Sequence, residues 1–91
     1  MEKQEVQRPP EQGLVVERVQ IGARIEKRML KVLKGLAEYH DMTLGDLLEG
    51  IVLHAFENQQ PFSEGTLHRI VQLKEIYGMD YGVDASHHFV E

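Results

Sequence analysis

The sequence predicts a mainly α-helical protein with one short β-strand that pairs with the same strand of a second copy, plus a third helix near the C-terminus. Three observations predict this fold. Near the N-terminus, apolar and polar residues alternate one by one, as in a strand. Two amphipathic segments with helical spacing follow, and a further apolar segment with helix-capping residues at both ends comes after them. A single strand needs a partner, and no second strand of similar quality appears later. The sequence therefore predicts a two-stranded ribbon formed across a homodimer.

The N-terminal part divides into a leader and a strand. Residues 1–13 are polar and contain two adjacent prolines, so we expect a flexible leader. A domain over residues 14–57 follows, and its strand is expected at about residues 17–25. Val19 and Ile21 point to one face of that strand, because successive side chains alternate between faces. The residues on the opposite face are Arg18, Gln20, Gly22 and Arg24.

Two helices complete this domain. Helix A is expected at about residues 26–39, where the apolar residues repeat with a period near 3.6. Helix B is expected at about residues 43–57, since Thr43 with Asp46 three residues later forms a capping-box pattern before a wide apolar stripe. In the turn between the helices, Asp41 is the residue best able to take a left-handed conformation.

The C-terminal part, residues 62–91, is predicted to hold a third helix and a tail. The helix is expected at about residues 64–77, because Ser63 is a suitable N-cap and Gly78 a suitable C-cap. We expect its apolar face to cover the dimer core. The residues of that face are Leu67, Ile70, Val71 and Tyr77.

Charge is unevenly distributed along the chain. The formal net charge is −5, but residues 18–34 hold six basic residues against one acidic residue. Residues 35–91 hold two basic and ten acidic residues. A basic segment followed by an acidic one indicates that the basic segment binds nucleic acid. The simpler alternative is that the basic residues form an ordinary solvated helix face.

Several classes of protein are disfavoured. The 91 residues contain no cysteine, which excludes disulfides and thiolate zinc sites and fits a reducing compartment. No apolar run approaches the roughly 20 residues of a membrane span, and no signal region follows the charged N-terminus. We therefore expect a soluble, cytoplasmic protein that does not bind membranes.

Catalysis, cofactors and metals are not expected. No nucleophile with a base, glycine-rich loop or pair of carboxylates can be placed on facing elements, so the sequence does not predict an enzyme or a cofactor. The five histidines include no pair at i, i+4 on one helix, and the adjacent His87 and His88 cannot easily chelate one ion. No metal site is predicted.

The order of basic strand, helix, turn capped by Thr43 and second helix resembles the ribbon-helix-helix family of DNA-binding proteins, over about residues 18–56. The resemblance implies that the two strands of the ribbon are antiparallel and enter the major groove, and that the second helix holds a phosphate at its N-terminus. The base-reading positions it implies are Gln20, Gly22 and Arg24, and we expect Arg18, on the same face of the strand, to contact bases as well. The phosphate contacts it implies come from Thr43 and Leu44, and we expect the basic Lys27 and Lys31 to contact phosphates as well. The dimer core it implies contains Val19, Ile21, Leu33, Leu48, Val52 and Phe56.

The sequence thus predicts a sequence-specific DNA-binding transcriptional regulator of the repressor type, which binds double-stranded DNA as a homodimer. The alternative is a dimeric interaction module without DNA binding, or an antitoxin-like protein that binds a partner protein through its acidic residues 62–91. The missing side chain at Gly22 and the overall acidity favour that alternative. The salt dependence of duplex binding separates the two.

Overall fold

The computed structural model describes residues 13–91 and contains three α-helices followed by a short 3₁₀ turn. Helix α1 spans Lys27–Tyr39, α2 spans Leu44–Phe56, and α3 spans Glu64–Tyr77. The 3₁₀ turn spans Val83–Ala85. All three helices begin and end within one residue of the bounds that periodicity and capping residues predict. The predicted leader lies outside the described residues, apart from Gly13.

The predicted β-strand is absent: none of residues 13–91 is in a strand, and the described fold is all-α. The prediction of a β-ribbon was therefore wrong. Residues 14–25, here called the arm, carry neither helix nor strand. The physical reason is that a strand is held by backbone hydrogen bonds to a neighbouring strand, and no described segment of this chain supplies them. Alternation of apolar and polar residues does not supply those bonds.

The helix ends are fixed by side-chain caps. Glu26 accepts hydrogen bonds from the amides of Arg28 and Met29, each at 3.1 Å, at the start of α1. Thr43 Oγ1 accepts from the Asp46 amide at 3.1 Å at the start of α2. Asp41 has a φ of 59°, which confirms the left-handed turn predicted between the two helices.

Helix α1 is the centre of the fold, because α2 and α3 both pack against it. Its Leu36 is only 2 % exposed. Gly35 lets α3 approach closely, since a Cβ at this position would lie 2.9 Å from Cδ2 of Leu73. The buried apolar core consists of Val32, Leu36, Ala37, Leu47 and Leu73.

The apolar face predicted for α3 needs correction. Leu73 is the buried leucine of this helix, with Ile70 partly buried beside the core. Leu67, Val71 and Tyr77 are instead exposed by 37 %, 56 % and 37 %. Helix α3 therefore packs on α1 of its own chain through a face centred on Leu73.

One apolar face of α2 remains open to solvent. Leu48, Val52 and Phe56 follow each other at a spacing of four residues and are exposed by 37 %, 43 % and 79 %. We call these three residues the outer face of α2. Within the arm, Val19 and Ile21 are likewise exposed. Of the residues predicted for the dimer core, only Leu33 packs against the core of the single chain.

No described helix combines the length and the apolar character needed to cross a lipid bilayer.

Candidate nucleic-acid interface

The arm leads directly into α1 and carries the side chains predicted to contact bases. Gln20 and Gly22 are exposed, and nothing lies within 4 Å of a Cβ built on Gly22. The Arg24 side chain is 86 % exposed, and its Nη2 lies 2.7 Å from Oε2 of Glu91. The outward residues of the arm are therefore accessible to a large ligand, although Arg24 already has an acidic partner.

Arg18 ties the arm to α2. Its Nε and Nη2 each donate a hydrogen bond of 2.8 Å to the carboxylate of Glu49. Nη2 also lies 3.5 Å from Oδ1 of Asp46. The hydrogen bonds with Glu49 raise the pKa of Arg18 above its usual value and lower the pKa of Glu49. The Arg18 side chain is nevertheless 62 % exposed, so water screens this pair.

Helix α1 continues the basic surface beyond the arm. Lys27, Lys31 and Lys34 are exposed, and they lie on one side of the helix because residues spaced by three or four positions are neighbours on its surface. None of the three forms an ion pair with another of residues 13–91. We call these residues the lysine stripe. It offers cationic groups that no described carboxylate neutralises.

The junction of arm and α1 is held by a cluster that we call the Tyr81 clasp, made of Glu26, Arg28 and Tyr81. The Tyr81 hydroxyl donates a 2.6 Å hydrogen bond to Oε1 of Glu26, and Arg28 Nε donates at 3.0 Å to Oε2. The Arg28 guanidinium lies 5.3 Å from the centre of the Tyr81 ring and also donates to the carbonyl of Gly78 at 3.1 Å. The C-terminal segment thereby fixes the first turn of α1.

The clasp shifts the pKa of both of its acidic groups. The hydrogen bond from Tyr81, followed by those from Arg28 and Met29, lowers the pKa of Glu26 to about 2. Burial and the adjacent Glu26 carboxylate raise the pKa of Tyr81 to about 12. Sequence analysis missed this cluster, because Tyr81 is 55 residues from Glu26 and belongs to a tail outside the family resemblance.

The predicted phosphate site at the start of α2 lies in acidic surroundings. Thr43 is exposed and serves as the N-cap of α2, and Leu44 is the first residue of the helix. Beside Thr43 lies a cavity of about 360 Å³, and Glu38, Asp41 and Asp46 are among the residues that line it. These carboxylates oppose an anion at this helix N-terminus. The lysine stripe, by contrast, forms no ion pair with a described carboxylate.

The described residues contain no group of three or more His, Cys, Asp or Glu side chains placed to hold a metal ion. Two histidines have hydrogen-bond partners of their own. His54 Nδ1 lies 2.7 Å from the Gly50 carbonyl, and His40 Nε2 lies 3.1 Å from Oγ1 of the buried Thr66. Both histidines thus contribute to the packing around α2 and α3.

Comparison of the chain with protein-family models, with curated proteins and with solved structures gave no match.

Proposed function

We propose that this protein is a homodimeric DNA-binding regulator of transcription. In this proposal, the arm contacts base edges, and the lysine stripe contacts backbone phosphates. Arg24 and Gln20 have the donor and acceptor groups that recognise guanine and adenine in the major groove. The C-terminal helix and tail support the arm through the Tyr81 clasp.

The observation that carries the proposal is the lysine stripe, a set of exposed cations that form no ion pair with another of residues 13–91. Arg24 and the lysine stripe present exposed cations on consecutive segments of the chain, and Glu91 is the described carboxylate within ion-pair distance of Arg24. Affinity for duplex DNA begins with neutralisation of phosphates by such cations. The net charge of −5 therefore does not describe the surface that DNA would meet.

The proposed second subunit binds at the outer face of α2. Phe56 is 79 % exposed there although it is a large aromatic residue. Burial of three large apolar side chains on each of two copies supplies a favourable free energy that the small core of one chain lacks. A homodimer also places two basic surfaces on one duplex, which doubles the number of phosphates neutralised.

The acidic partners of the arm do not prevent DNA binding in this proposal. The Arg24 and Glu91 side chains are 86 % and 75 % exposed, and such surface pairs are weak. A phosphate or a guanine edge can therefore replace the carboxylate of Glu91. The Arg18 pair, with two short hydrogen bonds to Glu49, is the better-formed one, and we expect Arg18 to hold the arm on α2.

The test is a selection of bound duplexes from a random pool, followed by titration of the selected duplex at several salt concentrations. Arg24→Ala is expected to weaken specific binding by about 1–3 kcal/mol and to relax the preference at one base pair in each half-site. Lys31→Ala should weaken binding to all duplex sequences alike. It should also lower the slope of log affinity against log salt concentration by about one for each phosphate that the lysine neutralises in the wild type. Lys74→Ala removes one positive charge from α3, outside the basic surface, and is the matched control.

Each variant is first checked for an unchanged melting temperature, since neither Arg24 nor Lys31 belongs to the core. Selection of no duplex by the wild type would contradict DNA binding altogether. Equal weakening by Lys31→Ala and Lys74→Ala would contradict the role of the lysine stripe, because only net charge would then matter.

A second candidate function is a dimeric protein-interaction module without DNA binding. The paired hydrogen bonds between Arg18 and Glu49 favour it, because they neutralise a cation that was predicted to contact bases. The acidic cavity beside Thr43 favours it as well, since it opposes a phosphate at the start of α2. This candidate predicts dimers that select no duplex at any salt concentration.

A further inference from the structure

A cleft lies between α2 and the segment that leads from α2 into the start of α3. The cleft has a volume of about 370 Å³. Its apolar floor is formed by the buried Leu47 and the partly buried Ile51 and Phe62, and Gly50 and His54 line its α2 side. A concave surface with an apolar floor of this size accommodates one large apolar side chain with its neighbours.

The cleft adjoins the acidic cavity beside Thr43. Met42 and Asp46 line both spaces, and the acidic part adds Glu38 and Asp41. We call the two adjoining spaces together the groove, which has an apolar part and a part lined by three acidic residues. An open groove of this shape fits an extended peptide segment.

The acidic part already interacts with a guanidinium in this protein. Asp46 lies 3.5 Å from Nη2 of Arg18, on the side of α2 that faces the arm. Glu38 and Asp41 form no ion pair with another of residues 13–91. A basic side chain in the groove would thus meet two carboxylates that lack a cationic partner among these residues, which is favourable charge complementarity.

The groove and the outer face of α2 lie on different sides of the helix. Successive helical residues are about 100° apart, so Gly50 and His54 point well away from Val52 and Phe56. A second copy bound at the outer face therefore leaves the groove open. Arg24 and the lysine stripe do not line the groove, and Asp46 is the groove residue that the arm contacts, through Arg18.

We propose that this groove binds a segment of a partner protein in which a lysine or arginine stands close to a large apolar residue. The apolar residue inserts between α2 and residues 61–63, over Leu47 and Ile51. The basic residue lies against Glu38 and Asp41. The site gives the protein a second binding surface, formed by residues other than Arg24, Gln20 and the lysine stripe.

Gly50 provides a direct way to block the groove. A Cβ at Gly50 has nothing within 4 Å, and the residue lies in the interior of α2, so a leucine there extends into the groove without a backbone clash. Gly65 is the matched control. It is also a helical glycine whose Cβ would meet nothing within 4 Å, but it does not line the groove.

The experiment uses the full chain and a displayed library of random twelve-residue peptides as the probe. We expect the selected peptides to share a basic residue near a leucine, methionine or aromatic residue. In a fluorescence titration, Gly50→Leu should weaken the best peptide at least about tenfold, and Gly65→Leu should bind it within about twofold of the wild type. Glu38→Gln should weaken it about threefold or more, and Glu75→Gln, which removes an acidic residue from α3 outside the groove, should not.

Three outcomes would overturn the proposal. The first is that the selected peptides contain no basic residue, or that no peptide is selected. The second is that Gly50→Leu binds the selected peptide as tightly as Gly65→Leu does. The third is that Gly50→Leu makes the protein monomeric in sedimentation, since the occupant of the groove would then be a second copy.

Discussion

Replacement of Phe56 by alanine tests the proposed dimer without touching the core of the single chain. Phe56 is 79 % exposed and is not part of the buried cluster. Full burial of a phenylalanine stabilises by about 1.5–3 kcal/mol, so burying the exposed part should contribute about 1–2.5 kcal/mol for each copy. A two-fold symmetric dimer contains this contribution twice, so Phe56→Ala should cost about 2–5 kcal/mol of dimerisation free energy. Such a loss raises the dimer Kd by about thirtyfold to several thousandfold.

Sedimentation equilibrium over a series of protein concentrations measures this change in Kd directly. The matched control is Ile76→Ala, because Ile76 is a helical residue with 68 % exposure that lies on α3, away from the outer face of α2. Circular dichroism at the highest concentration verifies that the helices persist in both variants. Equal values of Kd for the wild type, Phe56→Ala and Ile76→Ala would refute the assignment of the outer face of α2 as the dimer surface.

The remaining predictions concern stability. Leu36→Ala should lower the free energy of unfolding by about 2–5 kcal/mol in urea titrations, because the Leu36 side chain is only 2 % exposed. A loss as small as that for an exposed leucine would contradict the assignment of Leu36 to the core. Gly78→Ala should cost about 1–2 kcal/mol in the same assay, since the C-cap of α3 has a φ of 67°. Tyr81→Phe should lower the melting temperature by an amount that is constant between about pH 5 and 9. The difference from the wild type should shrink as pH falls toward 2, because the lowered pKa of Glu26 makes its contribution disappear on protonation. It should also shrink as pH rises through 12, where the Tyr81 hydroxyl itself loses its proton. A difference that does not change with pH would show that the Tyr81 ring, and not its hydrogen bond, stabilises the protein.

Local signals explain why the helices could be predicted from the sequence. Thr43 and Ser63 cap α2 and α3 through bonds to amides three residues later, and these bonds depend only on nearby residues. Asp41 takes its left-handed conformation for an equally local reason. The second hydrogen bond of the predicted capping box, from the Thr43 amide to the Asp46 carboxylate, is not formed. Asp46 faces Arg18 of the arm instead, and that contact crosses 28 residues.

The features that the sequence did not predict depend on contacts between distant segments. The Tyr81 clasp joins residues 55 positions apart, and Leu73 is buried because Gly35 lets α3 approach α1. Neither the hydrophobic period of α3 nor the composition of the tail indicates these pairings. The groove arises in the same way, because residues 61–63 and Thr66 lie opposite α2 residues that are distant in the sequence. A hydrophobic period indicates which face of a helix is apolar, but it does not specify the neighbour of that face.

The error at the arm has a different physical origin. Val19 and Ile21 alternate with polar residues, and such alternation describes the side chains of a strand but not the hydrogen bonds of its backbone. In the described single chain no segment offers those bonds, and the two apolar side chains stay 75 % and 78 % exposed. Side chains of this kind are costly to leave in water, and the outer face of α2 presents further exposed apolar groups, with Phe56 the most exposed of them. The exposed apolar side chains of the arm and of the outer face of α2 are the features on which the proposed homodimer rests, because a second copy bound there would cover them.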